Sequence, residues 1–283
     1  MLSNNVRVNL KKMRMNGIRR YWATPAILVL AFLLGGCPPA KEAAKVEPPK
    51  PAQKKPAVPE IELNIASINL SRIAKRIELE DIRRFAGELR KESIDILAME
   101  GVSRYPGVET RVDIVDELAR QAEMRTAFGE TIALSGRQSG NAIFSAFPVT
   151  SSQNTPYDRI ASTNFEAALQ AVIDCGAREV VLVSTLLPER ASANDLNVCA
   201  DRLSSLAVTY VDRPMIIAGN LPRSDVVRRV SNFDASKIMR EDASQQFWFT
   251  ADGSLRLRSQ RVVRTELGMM SIAQFDVYKQ SPP

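Results

Sequence analysis

From Glu60 to Tyr278 the apolar residues switch repeatedly between a period of two and a period of three to four. That alternation restricts the chain to sheets packed against helices. Ile61 to Ile68 carries the strand period, with Leu63, Ile65 and Ile68 marked for burial. Ile82, Phe85, Ala86 and Leu89 follow at helix spacing and end before Ser93, and Ile94 to Met99 is a short buried strand. Ile114, Val115, Leu118 and Ala122 mark a second helix. Strand-like runs then occupy Asn141–Ser145, Ala167–Ile173 and Glu179–Ser184, a helix spans Asp195–Tyr210, and the strand Met215–Ala218 follows it. Further strand-like pieces fall near Gln246–Thr250, Gln260–Arg264 and Met270–Tyr278, and no internal repeat occurs. Strands outnumber helices and many are joined by short turns, which predicts an α+β chain of antiparallel sheets covered by helices.

The first 59 residues read differently. Residues 1–36 hold six basic side chains and no acid. Arg19 and Arg20 precede an apolar run, Pro25–Leu34, that is shorter than the ~20 residues a membrane span needs but suits a secretory signal. Leu34-Gly-Gly-Cys37 comes directly after it and resembles the lipobox of bacterial lipoproteins, in which the cysteine thiol receives the lipid. The resemblance implies a signal peptide over 1–36, a lipid-modified (palmitate-bearing) Cys37 and a domain held on the periplasmic side of a membrane. No Asp follows Cys37, which points to the outer rather than the inner membrane. The competing reading is an uncleaved signal anchor with an incidental Cys37. Met15 gives a more usual signal length than Met1. Residues 37–59 are mostly Pro, Ala, Lys and Glu with almost nothing to bury, an extended linker reaching ~70 Å at ~3.1 Å per residue. Its lysines are solvated or touch anionic lipid.

Charge follows the same division. The formal net charge of +6 lies entirely in the N-terminal segments, because residues 60–283 carry 27 basic and 30 acidic side chains. A folded region with a net charge of −3 lacks the excess that accompanies phosphate-backbone binding, so nucleic acid is not the expected partner. Cys175 falls at a hairpin tip and Cys199 inside a helix. They either pair in the oxidising periplasm or serve as two small buried hydrophobes.

Five segments recur at strand ends in a recognisable order. "SINL" ends in Asn69 and Leu70, "DILAMEGV" contains Glu100, and "SGNAIFSAFPV" spans Ser139–Val149. "VVLVSTLLP" contains Leu186, and "IIAGNLP" contains Asn220 and Pro222. Together they resemble the endonuclease/exonuclease/phosphatase superfamily over nearly all of residues 60–280. The resemblance implies a four-layer α/β/β/α sandwich and a Mg²⁺-dependent attack of water on a phosphate ester, with Asn69 and the metal-binding Glu100 at strand ends.

Several positions that the resemblance makes catalytic carry the wrong chemistry. The chain has no histidine. Leu186 stands at the first expected one, and Met270–Ala273 at the segment that should end in Ser-Asp-His. Asn220 replaces an aspartate and is no base, while Pro222 replaces an asparagine and offers neither a side-chain donor nor a backbone N–H. General acid–base groups contribute ~10²–10⁴-fold each, so losing these together removes the mechanism. The expectation is a catalytically inactive, membrane-tethered module that binds an envelope protein or ligand and needs no cofactor. The alternative is a divergent Mg²⁺-dependent phosphoesterase built on Glu100, as a weak Mg²⁺ ligand, and recruited carboxylates such as Asp225 or Asp276. For Glu100 the simpler reading is a solvated or hydrogen-bonded strand-end carboxylate. A sensor of phosphorylated ligands without turnover also fits.

Other groupings are read as structure first. Phe247, Trp248 and Phe249 are either core or a stacking platform. Arg223, Arg228 and Arg229 are either a solvated helix face or a phosphate site. Serine triads with histidine are excluded, and zinc-spaced cysteines and a Walker loop are absent from the sequence.

Overall fold

A computed structural model describes residues 58–279, apart from 72, 74–75, 109–110, 158–166, 187–191, 221–232 and 236–244. The chain divides into two units, Met1–Gln53 and Lys54–Pro283, and every described residue lies in the second. Cys37, Pro222, Arg223, Asp225, Arg228 and Arg229 lie outside the described residues.

Among the described residues, twelve strands form two six-stranded sheets. The first half of the chain gives β1 (Ile61–Asn69), α1 (Leu79–Lys91), β2 (Ile96–Arg104), α2 (Ile114–Ala122), β3 (Arg125–Leu134), β4 (Arg137–Ser145) and β5 (Val149–Pro156). The second gives β6 (Ala167–Asp174), β7 (Glu179–Leu186), α3 (Ala193–Thr209), β8 (Met215–Asn220), β9 (Phe233–Ala235), β10 (Gln245–Thr250), β11 (Leu255–Thr265) and β12 (Gly268–Val277). Sheet 1 runs β11-β12-β1-β2-β4-β3 and sheet 2 runs β5-β6-β7-β8-β10-β9. Each is antiparallel except for one central parallel pair, β1/β2 and β7/β8. Helices α1 and α3 supply the crossovers that parallel pairing requires.

Side-chain parity sorts the core into three layers. Leu63, Ile65, Ile96, Ala98 and Phe275 of sheet 1 meet Leu182, Ile216, Ala218 and Phe247 of sheet 2 between the sheets. Ala66, Ile68, Leu97 and Met99 point the other way, beneath Ile82, Phe85, Val115 and Leu118 of α1 and α2. Val181, Val183 and Ile217 pack under Leu196, Cys199 and Leu203 of α3. The result is the α/β/β/α sandwich. Strands β7 and β8, covered on both faces, are buried almost throughout, which is why they read as unbroken apolar runs.

Three differences from the sequence reading have local causes. Strands β3 and β5 were not expected. Both lie at sheet edges, and β5 (VTSSQNTP) has no buried residue to impose a period. Strand β2 continues past Met99 to Arg104 because a bulge between Met99 and Val102 lets pairing with β4 resume. Strand β11 begins at Leu255 rather than Gln260, its arginines masking the period.

The disulfide reading fails. Cys175 belongs to the layer between the sheets and Cys199 to the layer under α3, on opposite faces of sheet 2, and both are free. The stacking platform also fails. Trp248 is fully buried on the α3 side, while Phe247 and Phe249 meet Phe275 edge-on at centroid distances of 6.2 and 5.3 Å.

Candidate functional site

The two parallel pairs bring four of the singled-out residues to one end of the sandwich. Asn69 lies in register with Glu100, and Leu186 with Asn220, at or near the C-terminal ends of β1, β2, β7 and β8. Each shares parity with the inter-sheet residues of its strand, so all four side chains face the mouth between the sheets. Strand ends of this kind are where open sheets carry their sites.

At this end the inter-sheet layer changes from hydrocarbon to polar. Ser67, Glu100, Asn141, Ser184, Ser271 and Asn220 are all at most 2% exposed. The Glu100 carboxylate accepts a hydrogen bond from Ser184 Oγ of the opposite sheet at 2.9 Å, and Ser67 Oγ lies 3.4 Å from each of its oxygens. Asn141 works in the other direction. Its Oδ1 accepts from Gly101 N at 3.2 Å, and its Nδ2 donates to Ala167 O of sheet 2 at 3.0 Å. Glu100 and Asn141 therefore each clasp the two sheets together. Burying a carboxylate is tolerable only where it is hydrogen-bonded, and the Ser184 hydroxyl is the main donor that meets that requirement.

Asn69 is occupied as well. Its Oδ1 accepts from Ser71 N at 2.8 Å and from Ser71 Oγ at 2.6 Å, closing the turn after β1. That turn presses on β2. Gly101 has φ +65°, and a Cβ there would stand 2.6 Å from Ser71 Cβ. Gly219 is constrained in the same way at the facing pair, with φ +146° and Thr185 O only 1.8 Å from where its Cβ would be. The Gly before Asn220 is thus required by the close approach of β7 and β8.

Leu186 is 8% exposed and brings only hydrocarbon to the mouth. Asn220 is 2% exposed, and its buried Oδ1 has no hydrogen-bond partner among the described residues. Of the segment Met270–Ala273, Ser271 turns inward beside Ser67, whereas Met270 and Ile272 pack toward the helices. Asp276 is not part of this site. It pairs with Glu62 at the far end of β1, seven residues or ~23 Å from Asn69 at ~3.3 Å per residue. There it bonds Arg258 Nε at 3.1 Å and accepts from Tyr278 OH at 3.1 Å. It is not available as a recruited carboxylate.

The Mg²⁺ implied by the sequence resemblance is ordinarily held by one or two carboxylates, several waters and substrate phosphates. Glu100 is fully buried, and both its oxygens lie against serine hydroxyls. Among the described residues, no group of three His, Cys, Asp or Glu side chains is placed to hold a metal. The described residues do not fit the ion. Glu100 is hydrogen-bonded rather than solvated, and the described part of the mouth is a polar clasp without histidine.

Ser67, Asn141 and Ser184 were missed by the sequence reading. Ser67 and Ser184 sit two residues before Asn69 and Leu186, so strand parity alone aims them at the same space. Asn141 lies inside the "SGNAIFS" segment without having been singled out.

No family model and no curated relative matches the chain. Solved structures do match. An endonuclease/exonuclease/phosphatase from Beutenbergia cavernae aligns with TM-score 0.59 at 16% identity, covering 77% of this chain and 72% of that one. One from Bacteroides vulgatus gives 0.58 at 11%, covering 77% and 100%. The human Nocturnin catalytic domain, solved with bound sulfate, gives 0.58 at 14%, covering 78% and 95%. At such identities the likeness establishes the fold, which is that of endonuclease/exonuclease/phosphatase proteins.

Proposed function

We propose that this chain is a catalytically inactive member of the fold, tethered to a bacterial membrane through a lipidated Cys37, that acts as a binding or structural module in the cell envelope. The observation that carries the proposal is the clasp. The carboxylate best placed to serve a metal is bonded to Ser184 of the facing sheet, in a chain without histidine. Leu186 and Asn220, paired at the facing strand ends of sheet 2, supply no titratable group. Such a mouth neither activates water nor neutralises phosphoryl charge.

The tether, the periplasmic placement and the preference for the outer membrane rest on the sequence of residues 1–59. The negative net charge of residues 60–283 supports a partner other than nucleic acid. Fold alone names no partner.

The test is an assay of the purified chain with Mg²⁺ and Mn²⁺ against bis-p-nitrophenyl phosphate, DNA, RNA and phospholipids. No turnover is expected. The reading also expects none from Asn220→Asp, since restoring one carboxylate leaves Leu186 unchanged. Turnover by the wild type that disappears in Glu100→Ala would refute the proposal and establish a divergent phosphoesterase. Membrane fractionation tests the placement, and recovery in the soluble fraction alone would overturn the tether.

A further inference from the structure

Beside the mouth, on the helix-facing side of sheet 1, lies a pocket of ≈360 Å³ that the clasp does not use. Among the described residues it is lined by Leu70, Ile73 and Ile77 after β1 and by Tyr105, Arg111 and Val112 after β2, with the start of β4 as a third wall. Leu70, Ile77 and Ile114 give it an apolar floor continuous with the layer beneath α1 and α2. Arg111, Arg137 and Tyr105 stand at its edge.

Each edge residue is placed by local geometry. Val108 N donates to Tyr105 O at 3.2 Å and Arg111 N to Val108 O at 3.0 Å, so consecutive turns bring Arg111 back over the Tyr105 ring at 5.0 Å. The β3–β4 hairpin turns through Ser135 and Gly136, whose φ values of +50° and +78° make a tight two-residue loop. That loop delivers Arg137. It also abuts the Tyr105–Arg111 turns, since a Cβ on Gly136 would lie 3.7 Å from Val108 Cγ2.

Arg76 also lines the pocket, ion-paired to Glu78 at 3.2 Å. Among the described residues, no Asp or Glu lines it. With Arg76 neutralised by Glu78, Arg111 and Arg137 leave two guanidiniums beside the apolar floor among the described residues. Guanidinium groups pair bidentately with phosphate and carboxylate, and the floor adds hydrophobic burial for an attached apolar group. A volume near the lower end of small-ligand pockets, ~300–1,000 Å³, suits a single-chain or aryl anion rather than a two-tailed lipid.

We propose that this pocket binds a soluble amphiphilic anion, with its apolar body on Leu70, Ile77 and Ile114 and its phosphate or carboxylate head between Arg111 and Arg137. The proposal deepens the reading of the chain as a non-catalytic binding module by assigning it a ligand class.

The test is isothermal titration of the full chain in maltoside micelles with hexyl phosphate, hexanoate, inorganic phosphate and hexanol. Hexyl phosphate or hexanoate is expected to bind at least about tenfold more tightly than inorganic phosphate or hexanol. Affinity should fall as salt rises from about 50 to about 500 mM. The double variant Arg111→Gln/Arg137→Gln should lose about tenfold or more with its melting temperature unchanged, both side chains being exposed. Single-alkyl anions binding no better than inorganic phosphate would overturn the ligand class. Equal binding by the double variant would overturn the site. Preference for phosphatidic acid vesicles over hexyl phosphate in competition would overturn the soluble-ligand assignment. The same preparations pass through the phosphodiester assay, where turnover refutes inactivity and leaves the calorimetry to decide this proposal.

Discussion

Replacing Glu100 with alanine separates a carboxylate kept for packing from one kept for a metal. In the wild type the side chain is fully buried and accepts from Ser184 Oγ at 2.9 Å. Its removal leaves a buried hydroxyl without that acceptor, which costs ~1–3 kcal/mol. It also empties a volume similar to that lost in Leu or Met→Ala, where the cost is ~2–5 kcal/mol. The contacts to Ser67 at 3.4 Å are long and add little. Relief of carboxylate desolvation offsets part of the sum, so a net loss of about 3 kcal/mol is expected. In a domain of this size ~1 kcal/mol moves the melting temperature by ~2–4 °C, which gives a fall of about 6–12 °C. Thermal unfolding followed by circular dichroism, with and without about 10 mM Mg²⁺, reads it out, and Mg²⁺ should shift neither protein. The reasoning fails if Glu100→Ala melts at or above the wild-type temperature while Mg²⁺ stabilises only the wild type. That pattern belongs to a metal ligand relieved of its own repulsion.

Three further outcomes follow from the same geometry. Gly219→Ala adds a Cβ that meets Thr185 O at 1.8 Å in a left-handed φ, and should cost more than ~4 kcal/mol, visible as insoluble or unfolded protein. Burial raises the Asp95 pKa, opposed by the hydrogen bond it accepts from Asn64 N at 2.8 Å. Its contribution to stability is therefore complete below the unfolded-state pKa and is lost as pH rises through the raised folded value. Asp95→Asn should flatten the fall in denaturant midpoint over that range, and an unchanged pH profile would contradict the assignment. Burial, reinforced by Asp174 and Asp95, pushes the Cys175 thiol up to about 12, and Cys199 is fully buried. Both should resist iodoacetamide in the folded protein at neutral pH and react after denaturation without reductant, as mass spectrometry can show.

Much of the fold was legible because β7 and β8 are continuous apolar runs and α1 repeats at 3.6 residues. Edge strands β3 and β5 were not, because β5 has no buried row to carry a period and β3 buries only Ala127 and Gly129. The residue types at two of the expected catalytic positions were also legible. Leu186 and Asn220 are what they are in any conformation, and a chain without histidine lacks that base in every fold. The role of Glu100 was not. A strand-end glutamate reads alike whether it meets water, a cation or a hydroxyl, and its partner Ser184 lies 84 residues away on the other sheet.

Composition by itself therefore determined which proton-handling groups the chain lacks, and hydrophobic period determined its α+β class, because both are properties of residues and their spacing. Tertiary structure alone decided which of the remaining polar groups meet. Register placed Asn69 beside Glu100 and Leu186 beside Asn220, and sheet packing turned Glu100 onto Ser184 while sending Asp276 to the opposite end. Those are distances between residues far apart in sequence. They exist only once two sheets have closed on one another.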